Sequence, residues 1–203
     1  MRLLIAEELA LITRKPRGGC WFTRPDLDDV LGGALLAELV AEGQLRRDRD
    51  GDGGPRVLQP LLGEPPADPL LAEAWRVVDG SRAGRAQRKV AKLATDRVLT
   101  RLAERELVSR QQRSVLSDRW LSLDQLLIDR LRTRLRSVLV NGTEADARSR
   151  TMIMLLHGAY VLGKTVGWDA AERSTVRENR RRLGRPEWPE RTTIEAIQGR
   201  RAA

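Results

Sequence analysis

The string Gly158-Ala159-Tyr160-Val161-Leu162-Gly163-Lys164-Thr165 satisfies the phosphate-loop pattern, whose chemistry is the cradling of nucleotide phosphates. That chemistry needs a flexible loop between a strand and a helix, with backbone N–H groups aimed at the phosphates. Here the intervening residues are apolar and continue a helical period. Gly167 and Trp168 follow where a long helix would be required, and no second strand ending in Asp follows. The string reads as a core helix. Asp48, Asp50 and Asp52-Gly53 begin like a calcium loop, but Gln59 stands where the bidentate Glu belongs and Pro55 sits inside the loop. Arg47, Arg49 and Arg56 would repel a cation, and Asp and Gly are equally the residues of a hairpin turn. His157 falls on an apolar helix with no nucleophile or carboxylate pattern beside it, and reads as a structural core residue. Glu7-Glu8 and Asp28-Asp29 are consecutive and point to different helix faces, so neither pair can act together as acid and base. One cysteine, Cys20, allows no internal disulfide, leaves no cysteine-based zinc site and fits a reducing cytosol. No catalytic constellation emerges, and no metal or cofactor is expected.

Binding is the alternative to catalysis, and the charge distribution says where. Residues 81–136 hold 15 Lys/Arg against 6 Asp/Glu, a balance equal to the whole chain's +9. Arg82 to Arg105 and Arg130 to Arg136 are Arg-rich helical stretches. Between them Val115, Leu116, Trp120 and Leu121 sit among Arg110, Arg113 and Arg119. Cations beside a few projecting hydrophobes suit an anionic membrane surface, each cation contributing on the order of 1 kcal/mol. The same residues also suit a solvated helix face with apolar side chains tucked under a hairpin. No apolar run reaches the length of a membrane span and no signal peptide is visible, so the contact expected is peripheral.

The elements that must position these residues are mostly helical. Helical spacing covers residues 2–13, and Cys20–Thr23 reads as a short strand. A helix opens at Pro25 with Asp26, Asp28 and Asp29 in its first turn, and stops at Gly43. Residues 45–61 read as a hairpin. Asp68-Pro69 opens a helix ending near Gly80, a long basic helix runs to about Val108, and 109–123 is a second hairpin or loop. Asp124 starts a helix stopped by Asn141-Gly142, residues 145–165 form the most apolar helix, and a polar helix covers 169–183. The expectation is a mainly α, single compact helical domain with two small β-hairpins over residues 1–185, and a flexible C-terminal tail over 186–203.

Four segments, in order and spacing, resemble the Golgi phosphoprotein 3 family. They are Leu3–Leu9 (LLIAEEL), Leu31–Gly43 (LGGALLAELVAEG), Arg101–Leu107 (RLAEREL) and Met152–Ala159 (MIMLLHGA). The resemblance covers roughly residues 2–183. It implies a mostly helical peripheral membrane protein that binds phosphatidylinositol 4-phosphate through a basic pocket and inserts a hydrophobic hairpin, which falls on 109–123. Lacking the long basic N-terminal extension of eukaryotic members, the chain resembles a bacterial one. The family's pocket uses a Trp before the second helix, an Arg within it and two basic residues three apart on the long basic helix. Trp21 stands for the first with a small gap. In ungapped register the Arg position is Gly32, and the basic pair falls on Asp96 and Leu99, beside Arg97 and Arg101.

The reading from sequence is therefore a cytoplasmic adaptor on anionic membrane lipids, not an enzyme, with a membrane-bound enzyme as a conceivable client and its oligomeric state open. Trp21, Arg24, Arg88, Arg97 and Arg101 are the head-group candidates. Val115, Leu116, Trp120 and Leu121 are the inserting hairpin. The alternative is a DNA-binding regulator whose winged-helix-like module is residues 25–61. That segment lies in the net-negative part of the chain and its turn is acidic, which opposes phosphate contact and makes a nucleic-acid partner the weaker expectation.

Overall fold

The computed structural model describes residues 2–15, 19–47, 58–60, 64–78, 81–113 and 117–202. Its helices are α1 (Ile5–Ile12), α2 (Arg24–Ala41), α3 (Pro69–Val78), α4 (Ala83–Glu104), α5 (Gln125–Val140), α6 (Ala147–Gly158), α7 (Leu162–Val166), α8 (Arg173–Arg182) and α9 (Trp188–Ala202). Two antiparallel pairs complete the described residues: β1 (Leu45–Arg47) with β2 (Leu58–Pro60), and β3 (Val108–Arg113) with β4 (Ser117–Ser122). The chain is mainly α, as its periodicity predicts. Cys20–Thr23 forms no strand, only a bridge between Arg14 and Cys20. The calcium-like string at residues 48–57 lies outside the described residues.

Local sequence sets the helix ends. Thr23 accepts the Asp26 N–H and Pro25 fills the first turn of α2, while Gly43 beyond its end takes φ 69°. Asp68, Asp124 and Asp146 cap α3, α5 and α6 in the same way, each accepting backbone N–H bonds from the first turn. The long basic helix ends at Glu104 rather than near Val108, because Glu106 turns left-handed (φ 58°) and Val108 already belongs to β3.

Around α2 the core assembles. Leu27, Val30, Leu31, Leu35, Leu36 and Leu39 are buried along it, and α1, α3, α4, α6 and α9 all pack on it. With its sides covered, α2 has no free face to lay in a DNA groove, which removes the geometric basis of the winged-helix reading. Two adjacent glycines permit this crowding. A Cβ on Gly32 would meet the Ala91 backbone N at 2.8 Å, and one on Gly33 would meet Thr193 Oγ1 at 2.1 Å. So α4 and α9 approach α2 at backbone distance on neighbouring sides.

That contact corrects the expected flexible tail. Residues 188–202 form α9, which buries Trp188, Thr193 and Ile197. Arg200 pairs with Asp29, and Arg201 with Asp26 at 2.8 Å, which ties the end of α9 to the start of α2. The sparse hydrophobes of this segment recur at helical spacing on one side, a signal that its Arg and Pro content hides. The predicted 145–165 helix is also corrected. It breaks at Ala159–Val161, where Tyr160 is left-handed (φ 62°), into α6 and the short α7. The phosphate-loop string thus spans a turn between two helices, with no strand before it.

A buried ionic network locks the bundle. Glu7, Glu8 and Glu38 lie in the core. Glu7 holds Arg105 at 2.7 Å and Arg101 at 3.2 Å, and Glu8 holds Arg134 at 2.6 Å. Glu38 holds Arg148 at 2.6 Å and accepts the Ile5 N–H at 2.6 Å. Each of these three carboxylates is paired with an arginine, the condition under which such buried charges are tolerated. Through Glu7 and Glu8, α1 is tied to α4, α5 and α6.

Candidate functional site

The surface cations fall into two groups, those neutralised by a carboxylate and those left to solvent. On α4, Arg82, Arg85, Arg88, Lys89 and Lys92 recur at spacings of three and four. At 100° per residue they occupy an arc of about 120°. All five are exposed, and they span about 15 Å of helix. Lys89 donates to Ser81 Oγ at 2.9 Å, and among the described residues the other four have no carboxylate partner. Arg88 and Lys92 reach the rim of a cleft of about 590 Å³ between α2, α4 and α9, whose opposite wall carries Asp28, Asp29 and Arg200.

The five head-group candidates are not brought together. Nine residues along α4 turn the helix by about 900°, so Arg97 faces away from Arg88. Arg97 instead pairs with half-buried Glu73 at 3.0 Å. Arg101 forms a two-pronged bond to Asp68, at 2.6 and 2.5 Å, and reaches Glu7. Asp68 raises the Arg101 guanidinium pKa above its ordinary value, and burial would raise Asp68 in turn were it not held low by Arg101 and two backbone N–H groups. Arg24 is exposed and bridges Asp28 and Asp96, each at 2.9 Å. Burial alone would lower its pKa, but those two carboxylates hold it above the ordinary value. Trp21 is half-buried, with Lys15 Nζ 4.8 Å above its ring and an indole N–H that finds no acceptor among the described residues. Of the five, only Arg88 belongs to the unpaired stripe.

At the far end of α4, β3 and β4 form the hairpin expected at 109–123. Arg110 lies opposite Trp120, its guanidinium 5.8 Å from the ring, and Ser109 lies opposite Leu121. Trp120 is half-buried and rests partly on the core, and Leu121 is half-buried. Val115 and Leu116 lie outside the described residues. Sequence reasoning missed the apolar pair at the hairpin's foot: Leu123 is 57% and Leu126 72% exposed, with exposed Arg130 one turn beyond. Their signal was available, since Leu126 and Leu127 are adjacent and cannot both face the core from one helix.

With this geometry in hand, comparison with known proteins is direct. A family model described as Golgi phosphoprotein 3 (GPP34) matches residues 5–199, nearly the whole chain and most of α9. The chain belongs to the Golgi phosphoprotein 3 family. No curated protein matches it. Its structure also shows what occupies the positions on which the family's pocket residues fall in ungapped register. Gly32 has no room for a side chain against Ala91, Leu99 is buried at 2% exposure, and Asp96 is bound to Arg24. On α4 of this member of the Golgi phosphoprotein 3 family, the cations without a carboxylate partner among the described residues lie about a turn or more nearer the start of the helix than Asp96 and Leu99. Among the described residues no helix is long and apolar enough to cross a membrane.

Proposed function

We propose that the protein is a peripheral membrane adaptor that docks on anionic phospholipid, phosphatidylinositol 4-phosphate by family resemblance, and recruits a membrane-bound client. The observation that carries this reading is the unpaired stripe Arg82, Arg85, Arg88, Lys89 and Lys92, a cationic face with no internal carboxylate. Five cations at about 1 kcal/mol each supply on the order of 5 kcal/mol, enough for reversible docking. Leu123 and Leu126 beside Arg130 add apolar surface at the interface. Lys92 and Glu104 are separated by about 18 Å of helix, so one flat bilayer reaches both features only by lying along α4.

Flotation on phosphatidylcholine vesicles, with and without phosphatidylserine or phosphatidylinositol 4-phosphate, tests the proposal. The wild type is expected to float only with the anionic vesicles. R85Q/R88Q/K92Q is expected to bind them roughly 100-fold more weakly, and L123S/L126S to weaken binding without loss of fold. Equal binding to neutral and anionic vesicles, or undiminished binding by the triple variant, rejects the reading.

A further inference from the structure

A second cationic site lies on the opposite half of the sequence, in a cavity of about 310 Å³ between α6, α7 and α8. Arg173, Arg177 and Arg180 line it at spacings of four and three, so one face of α8 brings three arginines to the same cavity. Among the described residues none of the three has a carboxylate partner, and no acidic residue lines the cavity. The acids of this segment are turned elsewhere: Glu172 pairs with Arg136 at 2.5 Å, and Glu178 with Arg182 at 2.6 Å. The remaining wall is apolar. Leu162 and Val176 are buried at 4% and 5% exposure, and the half-buried Trp168 ring closes one side.

His157 completes the rim. Its sequence context reads as core, yet the structure exposes it at the edge of α6, where burial first and Arg180 second lower its pKa. It therefore faces the cavity as a neutral imidazole at pH 7, able to donate one hydrogen bond and accept another. Three like charges converging without a counter-ion repel one another, and an anion placed among them removes that cost. Guanidinium forks match the oxygens of a phosphate in geometry. The volume is at the small end for ligand pockets, and its apolar floor suits a ligand with more than the anion alone.

We propose that this cavity binds a phosphate monoester whose organic part rests on Trp168, Leu162 and Val176. The inference does not rest on the membrane reading, because the site shares no residue with the α4 stripe or the hairpin foot.

Calorimetric titration with phenyl phosphate, inorganic phosphate and phenol tests it. Phenyl phosphate is expected to bind more tightly than either fragment, and R173Q/R177Q, both exposed positions, to weaken it about tenfold or more. R182Q, on the opposite face of α8 and paired with Glu178, is expected to leave binding unchanged. W168L should lower affinity for phenyl phosphate but not for inorganic phosphate. The source of the monoester is separated by flotation on vesicles containing phosphatidylinositol 4-phosphate. A loss in R173Q/R177Q assigns the site to a lipid head group, and unchanged flotation with lost phenyl phosphate binding assigns it to a soluble compound. The proposal is overturned if folded wild-type protein binds no phenyl phosphate, or if R173Q/R177Q and R182Q weaken it equally. Neither result bears on L123S/L126S, which tests the membrane reading alone.

Discussion

Single carboxylates in this protein have opposite fates, and the difference is their partners. Arg148 serves two of them, holding Glu38 at 2.6 Å and Glu8 at 3.3 Å from a largely buried position. R148M removes that partner while the acids stay buried, and is expected to destabilise the fold by about 3–5 kcal/mol in urea unfolding. Glu190 is the reverse case. It is buried at 2% exposure, accepts a bond from Thr151 at 2.9 Å, and its second oxygen has no partner among the described residues. Burial pushes its carboxyl above the usual range in spite of the Thr151 bond. A carboxyl with a raised folded pKa opposes folding once ionised, so its cost is absent below the unfolded value of about 4.3 and grows as pH rises through the folded value. E190Q is accordingly expected to raise the melting temperature at pH 7 and to remove that part of the pH slope. An unchanged melting temperature at pH 7 contradicts the assignment. Asp68 has the opposite sign, since Arg101 keeps it charged; its contribution is present above about 3.9 and lost below that.

At the scale of elements, the contact that matters most is α9 on α2. It is built on a glycine rather than on a large apolar residue, because Gly33 lets Thr193 sit directly on the helix backbone. G33A places a methyl group where Thr193 Oγ1 already is, and is expected to cost about 1–3 kcal/mol by overpacking. T193A should recover part of that loss, which a double-mutant cycle on thermal or urea unfolding reads directly. If G33A is neutral, α9 is not seated as described. Helix identity here was legible: the starts at Pro25, Asp68 and Asp124 and the stop at Gly43 sit where the sequence puts them. The exceptions were decided by partners far along the chain. Residues 188–202 look polar and loose until α2 covers their few hydrophobes, and the apolar 145–165 run is interrupted by a left-handed Tyr160 that no propensity rule would place there.

For the whole molecule, the question is how a net charge of +9 is distributed in space. Because the α4 stripe is exposed, its attraction to an anionic surface is screened by salt, the Debye length falling from about 10 Å at 0.1 M to about 3 Å at 1 M. Vesicle binding is thus expected to fall steeply with salt in the wild type and shallowly in R85Q/R88Q/K92Q; equal slopes would show that the stripe makes no contact. The sequence by itself determined the fold class, most helix ends, the two hairpins and the family, since each depends on residues near in the chain or on the order of segments. It also located the basic region, 81–136. It did not determine which cations in that region are available. Arg97 and Arg101 are indistinguishable from Arg88 in composition and spacing, and only the fold shows that Glu73, Asp68 and Glu7 neutralise them while Arg88 is left to solvent. The same holds for Arg173, Arg177 and Arg180, whose common cavity exists only where α6 and α7 stand against α8. Helical spacing is local, but ion pairing depends on what folding brings within about 4 Å, and that the tertiary structure alone decides.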